Sequence, residues 1–363
     1  MTIRPALAII ASGALALTLT SCATGGDTAA DDTSATESAS ANTAVDTTDY
    51  CADYTAAGDG YPTTITHALG TTTIDEQPQR VAAIGWGNQD VALALGVAPI
   101  GSDDQTWSWD MSDGLGLYEW TTDGYATLGA DDPTIYSTTD GVDFEAISDS
   151  KPDLIIAGYS GLTADDYATL SKIAPTVAYP DVAWYTPWRD VICIDSAALG
   201  LPVEGQALVD SLEDDITAAT TDVDFSGNTA AFFYMDGSDL STISIYAEGD
   251  GRTAFLKDLG FAMPEIAVSA GENGSFYQDI SSENADQLED VDVIVSYGDG
   301  DDLLKALQAD PLWSTLPAVQ NGAVVTVGSG DAYSGAVTPT ALSIPWVLDQ
   351  YVSDLSAGAA LAK

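Results

Sequence analysis

The side chains that could do chemistry in this 363-residue chain form a short, lopsided set. There is one histidine, His67, and there are three cysteines, Cys22, Cys51 and Cys193. A serine–histidine–aspartate mechanism needs an imidazole beside its nucleophile, and the chain has no Gly-x-Ser-x-Gly elbow. One histidine and no Cys-x-x-Cys spacing make a poor metal site, so no metal and no cofactor are expected. The 56 acidic residues leave a carboxylate pair for glycoside hydrolysis open, although the order of segments lends it no support.

Binding suits the remaining side chains better than bond-making does. Trp86, Tyr159, Tyr246 and Tyr297 each follow or end a run that reads as a β-strand. Trp107, Trp188, Tyr277 and Tyr333 lie in loop-like stretches, as do Trp109 and Trp184. Aromatic rings just past a strand's carboxyl end are well placed to line a crevice in an open α/β sheet. Two arginines accompany them, Arg189 in "PWRD" and Arg252 after "ISIYAEG", with Lys151 and Lys172 beside related segments. A guanidinium bonds oxygens through a planar fork and stacks on rings, which fits a bulky, oxygen-rich ligand. The predicted ligand set is Trp86, Trp107, Tyr159, Trp188, Arg189, Tyr246, Arg252, Tyr277, Tyr297 and Tyr333.

The elements that must position these groups alternate along the chain. "RVAAIG" (80–85) reads as a strand, "NQDVALALG" (88–96) as a helix stopped by Gly96, and "APIGSD" (98–103) as the next strand. "DLIIAGY", "TADDYATLSKIA" with Thr163 as N-cap, and "TVAY" continue the pattern. Between residues 202 and 222, Leu208, Leu212 and Ile216 recur every four residues, giving one longer helix an apolar face. Beyond it the alternation restarts. The predicted fold is α/β: two Rossmann-like lobes with mostly parallel sheets, 50–201 and 223–363, joined by one long helix at 202–222. One unit occurs in both lobes. "FEAISDSKPDLIIAG" and "SENADQLEDVDVIVSYG" each run from an acidic helix into a buried strand, with Glu145 and Glu283 near the helix start.

The bulk charge excludes some partners. Nine basic residues against 56 acidic ones give a formal charge of −47, which repels nucleic acid and anionic lipid headgroups. Most of these carboxylates read as solvating surface, of the kind a salty or alkaline habitat selects. The first 21 residues read as a targeting signal, with Arg4 before an apolar run too short for a convincing membrane span. The run ends in "LTSC", which resembles the lipobox of bacterial lipoproteins and implies acylation of Cys22. Residues 22–49 read as a disordered acidic tether. With Cys22 lipidated, Cys51 and Cys193 are an even pair outside the cytoplasm and are expected to form a disulfide.

The order of motifs resembles the iron-siderophore substrate-binding proteins of ABC importers. "ITHALGTTTIDEQPQRVAAIGWGNQDVALALGVAPIG", "FEAISDSKPDLIIAG", "TPWRDVICIDSAALG", "ISSENADQLEDVDVIVSYGD" and "ADPLWSTLPAVQNGAVVTVGS" carry the resemblance, which spans most of 62–352. It implies a bilobal receptor with a rigid connecting helix and a ligand held between the lobes. It also implies that Glu145 and Glu283 meet arginines of a dimeric permease. The receptor would be a monomer, anchored by lipid to the outer face of the cell membrane. A ferric tricatecholate is strongly anionic and wants several cations, so a ferric hydroxamate suits this acidic chain better. Haem, which would need an axial tyrosine such as Tyr246 since His67 lies away from the expected cleft, and cobalamin are the alternatives on the same scaffold.

Overall fold

The computed structural model describes residues 49–55, 60–105, 116–130, 132–298 and 300–362. Cys22 and Trp107 lie outside these residues, as do the signal and nearly all of the tether. The first lobe opens with α1 (Ala52–Thr55) and an antiparallel hairpin of β1 (Thr63–His67) and β2 (Gly70–Ile74). Its main sheet contains β3 (Val81–Ala83), β4 (Gly101–Asp103), β5 (Thr134–Tyr136), β6 (Leu154–Ala157) and β7 (Thr176–Ala178). Their spatial order is β5-β4-β3-β6-β7, and every pair is parallel. All four residues of β6 are buried, as a parallel strand covered by helices on both faces must be. Those helices are α2 (Asn88–Ala94), α3 (Glu119–Thr127), α4 (Phe144–Ser150), α5 (Ala164–Leu170) and α6 (Trp188–Ala198). Thr163 and Asp166 close a reciprocal capping box at the start of α5.

The connecting helix is α7 (Pro202–Thr220), and its Val209, Leu212 and Ile216 are buried. Proline at its first turn costs no hydrogen bond, because that amide has no partner within a helix. The second lobe contains β8 (Ala230–Asp236), β9 (Asp239–Tyr246), β10 (Tyr277–Ser281), β11 (Val293–Ser296) and β12 (Val324–Thr326). Its order is β10-β9-β8-β11-β12. Here the sheet is mixed: β8, β11 and β12 run parallel, but β9 is antiparallel to both neighbours. The cause is local. Only Gly237 and Ser238 separate β8 from β9, and a connection that short can make only a hairpin. The helices of this lobe are α8 (Gly251–Asp258), α9 (Glu265–Ala270), α10 (Asp302–Ala309), α11 (Pro317–Asn321), α12 (Ala332–Ala336) and α13 (Ser343–Leu361).

The repeated acidic unit is present twice, in two forms. Glu145 stands exposed in the first turn of α4, which Asp143 caps by accepting from the Ala146 amide at 3.0 Å. Glu283 stands exposed in a 3-10 segment, Ser282–Leu288, instead of the expected α-helix. Asn284 (φ −109°) breaks the helical path there. β6 follows the first unit and β11 the second.

The two lobes share a core. One buried cluster takes Tyr118, Trp120, Tyr159 and Trp188 from the first lobe, Val209, Leu212 and Ile216 from α7, and Phe232, Phe255, Tyr297 and Tyr351 from the second. Polar ties reinforce it. Asp90 on α2 accepts from Thr121 Oγ1 (2.7 Å), from Trp120 Nε1 (3.1 Å) and, across the lobes, from Thr340 Oγ1 (2.6 Å). The amide of Gly249 donates to Tyr185 Oη at 3.0 Å. Cys51 and Cys193 are joined, with Cα atoms 5.1 Å apart and a sequence separation of 142.

Asp90 makes folding pH-dependent. Burial pushes its carboxyl up to about 6, against the hydrogen bonds from Thr340, Thr121 and Trp120 that pull it down. An acid whose pKa is higher folded than unfolded contributes stability below its unfolded value, about 4, and loses it as pH rises through the folded value. The difference in unfolding free energy between the wild-type protein and Asp90→Asn should therefore fall between about pH 4 and 6 and level off above. Denaturant titrations across that range check this, and a flat difference would contradict it.

Candidate ligand cleft

In an open α/β sheet, ligands bind beyond the carboxyl ends of the strands where the strand order reverses. In the first lobe that place is between β3 and β6. Gly85, just past β3, has φ +88°, and a Cβ there would fall 2.4 Å from the Tyr159 carbonyl oxygen. Only glycine lets the two strand ends come so close. The Trp86 amide then donates to the Tyr159 carbonyl at 3.0 Å. Asn88 staples the pair: its Nδ2 donates to the carbonyls of Ile84 (2.7 Å) and Tyr159 (3.1 Å), and its Oδ1 accepts from the Tyr159 amide (2.9 Å). Trp86 and Tyr159 thus sit side by side at the switch point.

A third ring completes this wall. Trp184 meets Tyr159 edge-on, with ring centroids 5.5 Å apart. It is 37% exposed and holds a left-handed backbone, φ +57°, which is rare for a bulky residue. Its indole lies over Gly161, where a Cβ would come within 2.0 Å of Nε1. Strained backbone at an exposed aromatic is a pattern of ligand sites, and the sequence reading had no signal for it.

The facing wall belongs to the second lobe. Asp250 caps α8 and grips Arg252, accepting from Nε at 2.8 Å and from Nη2 at 2.7 Å. Arg252 Nη1 reaches Tyr297 Oη at 3.3 Å, and the guanidinium lies 3.6 Å from the Tyr246 ring centroid. Burial alone would lower the pKa of Arg252, but the Asp250 carboxylate outweighs it and holds the pKa well above the ordinary value. Phe276 stacks on Tyr246 at 6.4 Å and touches Tyr277, which is 39% exposed. Tyr159 links the two walls, since its hydroxyl lies near where a Cβ on Gly251 would stand, at 4.0 Å.

Residues 81–329, from the first strand of one main sheet to just past the last strand of the other, match the periplasmic binding protein family. The chain belongs to that family. It groups there with substrate-binding proteins of iron-siderophore ABC importers. A putative ABC transporter substrate-binding lipoprotein of Bacillus subtilis, YhfQ, is 28% identical over 275 residues, covering 72% of this chain and 80% of that one. The structure of PiaA from Streptococcus pneumoniae in complex with ferrichrome is 39% identical, covers 83% of this chain and 99% of that one, and superposes with a TM-score of 0.77. SirA of Staphylococcus aureus, solved with staphyloferrin B, is 26% identical over 81% of this chain and 98% of its own, with a TM-score of 0.62. This is a family of binding proteins, not of enzymes.

Within this periplasmic binding protein, the structure brings together six of the sequence-predicted ligand residues: Trp86, Tyr159, Tyr246, Arg252, Tyr277 and Tyr297. Three others make contacts of their own, although Trp188 also lines a small pocket with Trp86, Tyr159 and Gly251. Arg189 donates to Glu213 on α7 (2.7 Å) and to Asp258 on α8 (2.8 Å), between the rings of Trp188 and Tyr50. Trp188 is buried and also donates to Asp258, at 2.9 Å. These two therefore clamp α6 to α7 and α8, and both also line a cavity of about 760 Å³ between the lobes. Tyr333 donates to Asp354 on α13 at 2.8 Å and packs edge-on against Tyr351. The sequence marks Trp184 as a loop aromatic but does not place it in the predicted ligand set, and it gives no sign of Phe276 or Asn88. His67 is buried against Thr72 in the β1–β2 hairpin.

Proposed function

We propose that the protein is an extracytoplasmic, lipid-anchored receptor that captures a ferric siderophore between its lobes and delivers it to an ABC permease. The observation that carries this reading is the pair of aromatic walls at the strand ends, with a guanidinium whose charge Asp250 already balances. Broad rings suit a bulky chelate. A neutralised arginine suits a hydroxamate better than a polyanionic catecholate, because a tricatecholate would need cations this wall does not have in excess. The ferrichrome complex of PiaA, at 39% identity, supports the same preference. Acylation at Cys22 would hold the receptor at the outer face of the cell membrane, and Trp107 would join the ligand contacts.

Quenching of tryptophan fluorescence on titration with ferrichrome, a ferric tricatecholate, haem and cobalamin tests the reading. Saturable quenching by ferrichrome at the lowest concentration is expected. Saturation by haem alone would move the assignment to haem uptake. Burial pushes the Tyr246 phenol up despite the lowering effect of Arg252, which disfavours the tyrosinate that such a ligand set would need.

Glu145 and Glu283 serve as the permease contacts in this reading, one on each lobe. Pairs formed across an interface set docking and register more than raw affinity. Glu145→Ala combined with Glu283→Ala should abolish siderophore uptake by cells while leaving chelate affinity unchanged. Uptake that survives the double substitution would remove the docking assignment.

A further inference from the structure

The second-lobe wall carries a carboxylate that the reading above does not use. β8, β9 and β10 align Tyr234, Ser244 and Asp279 in one cross-strand row, Tyr234 opposite Ser244 and Ser244 opposite Asp279. The neighbouring row on β9 and β10 pairs Tyr246 with Tyr277. Alternate strand residues share a face, so Asp279 stands on the cleft side of the sheet, about 7 Å along β10 from Tyr277. The intervening residues confirm the direction: Ile243, Ile245 and Ile280 turn the other way, into a separate buried cluster.

The charges on this face do not cancel. Arg252 is matched by Asp250 through two hydrogen bonds, so that pair adds nothing net. Lys257, further along α8, is paired with Glu248. Asp279 is exposed and accepts only a neutral hydroxyl, Ser244 Oγ, at 2.7 Å. Among the described residues it has no ion-pair partner. Tyr234, 51% exposed in the same row, offers a ring beside it for the body of a ligand.

Building on the siderophore reading, we infer that Asp279 gives the cleft a preference for cationic chelates. A ferric trihydroxamate with a protonated amine on its periphery binds more tightly than the same chelate with that charge removed, and anionic chelates bind worst. The group recognised is an alkylammonium, met by the Asp279 carboxylate at the outer end of the tyrosine face. The contact is partly solvated, so its effect is modest, about threefold in Kd, and it fades as salt screens it.

The test compares two ligands differing in one charge: a linear ferric trihydroxamate with a free terminal ammonium, and its N-acetylated form. Kd values are measured by calorimetry at low and high salt for the full-length wild-type protein, for Asp279→Asn, and for Asp149→Asn. Asp149 is an exposed acid in the last turn of α4, which leads into the amino end of β6, at the end of the sheet opposite the cleft, so its removal changes the overall charge equally but leaves the cleft alone. The expected result is an approximately threefold preference for the ammonium form in wild type and in Asp149→Asn, lost in Asp279→Asn and reduced by salt. Equal affinities in wild type, or a preference that persists in Asp279→Asn, would overturn the assignment. A wild-type protein that binds neither chelate would instead overturn the siderophore reading on which it rests.

Discussion

Replacing Arg252 by methionine should destabilise the protein by about 3–5 kcal/mol, the usual effect of removing one partner from a buried ion pair. The reason lies in what would remain. Asp250 has no solvent exposure, and two of the hydrogen bonds its oxygens accept come from the guanidinium. Without them a carboxylate stays buried at the start of α8, where no other cation among the described residues pairs with it. The loss should appear as a lower urea midpoint with little change in slope. The double substitution Arg252→Met with Asp250→Asn separates folding from binding, since it removes both charges together. It should recover most of the stability, while chelate affinity stays low because the cation stacked on Tyr246 is gone. Full recovery of affinity in the double variant would show that Arg252 serves the fold alone.

The second large effect concerns the covalent tie. Cys51 and Cys193 are 142 positions apart and enclose almost the whole first lobe. In the chain-entropy account, closing a loop of that length restrains the unfolded chain by about 4–5 kcal/mol. The Cys51→Ala, Cys193→Ala variant should lose that much in urea unfolding under otherwise identical conditions. It should also loosen the first residues of the fold. α1 and Tyr50 hang on this bond, and Tyr50 forms one side of the aromatic sandwich around Arg189. A change below about 1 kcal/mol would mean that the unfolded chain already holds these ends together.

Much of the architecture was legible. Apolar runs such as "DLIIAGY" and "DVIVSYG", alternating with helical periods, give two α/β lobes, and Leu212 and Ile216 mark the buried stripe of the connecting helix. The antiparallel β9 was also within reach, because "MDGSDL" leaves only two residues to turn the chain. The alternation of strands and helices elsewhere hid that hairpin. The candidate site was legible only in part. Aromatics just past strand ends, Trp86, Tyr159 and Tyr297, could be picked because position relative to a strand is a local property. Arg189 could not be judged that way. Its partners Glu213 and Asp258 lie 24 and 69 residues further on, and only the packing of α6 on α7 and α8 brings them to it. Trp184, visible only as one loop aromatic among several, could not be singled out for a different reason: what makes it stand out is a left-handed backbone over Gly161, and no local pattern specifies that.

The shared core has a consequence for how such receptors diversify. A lobe with a core of its own could be exchanged between relatives as a cassette, carrying its half of the specificity with it. Here Tyr118, Trp120 and Trp188 pack into the same cluster as Phe232, Phe255 and Tyr351. A transplanted lobe would bring the wrong half of a jigsaw. New ligand preferences in this lineage are therefore more accessible through substitutions on the cleft faces than through recombination of halves.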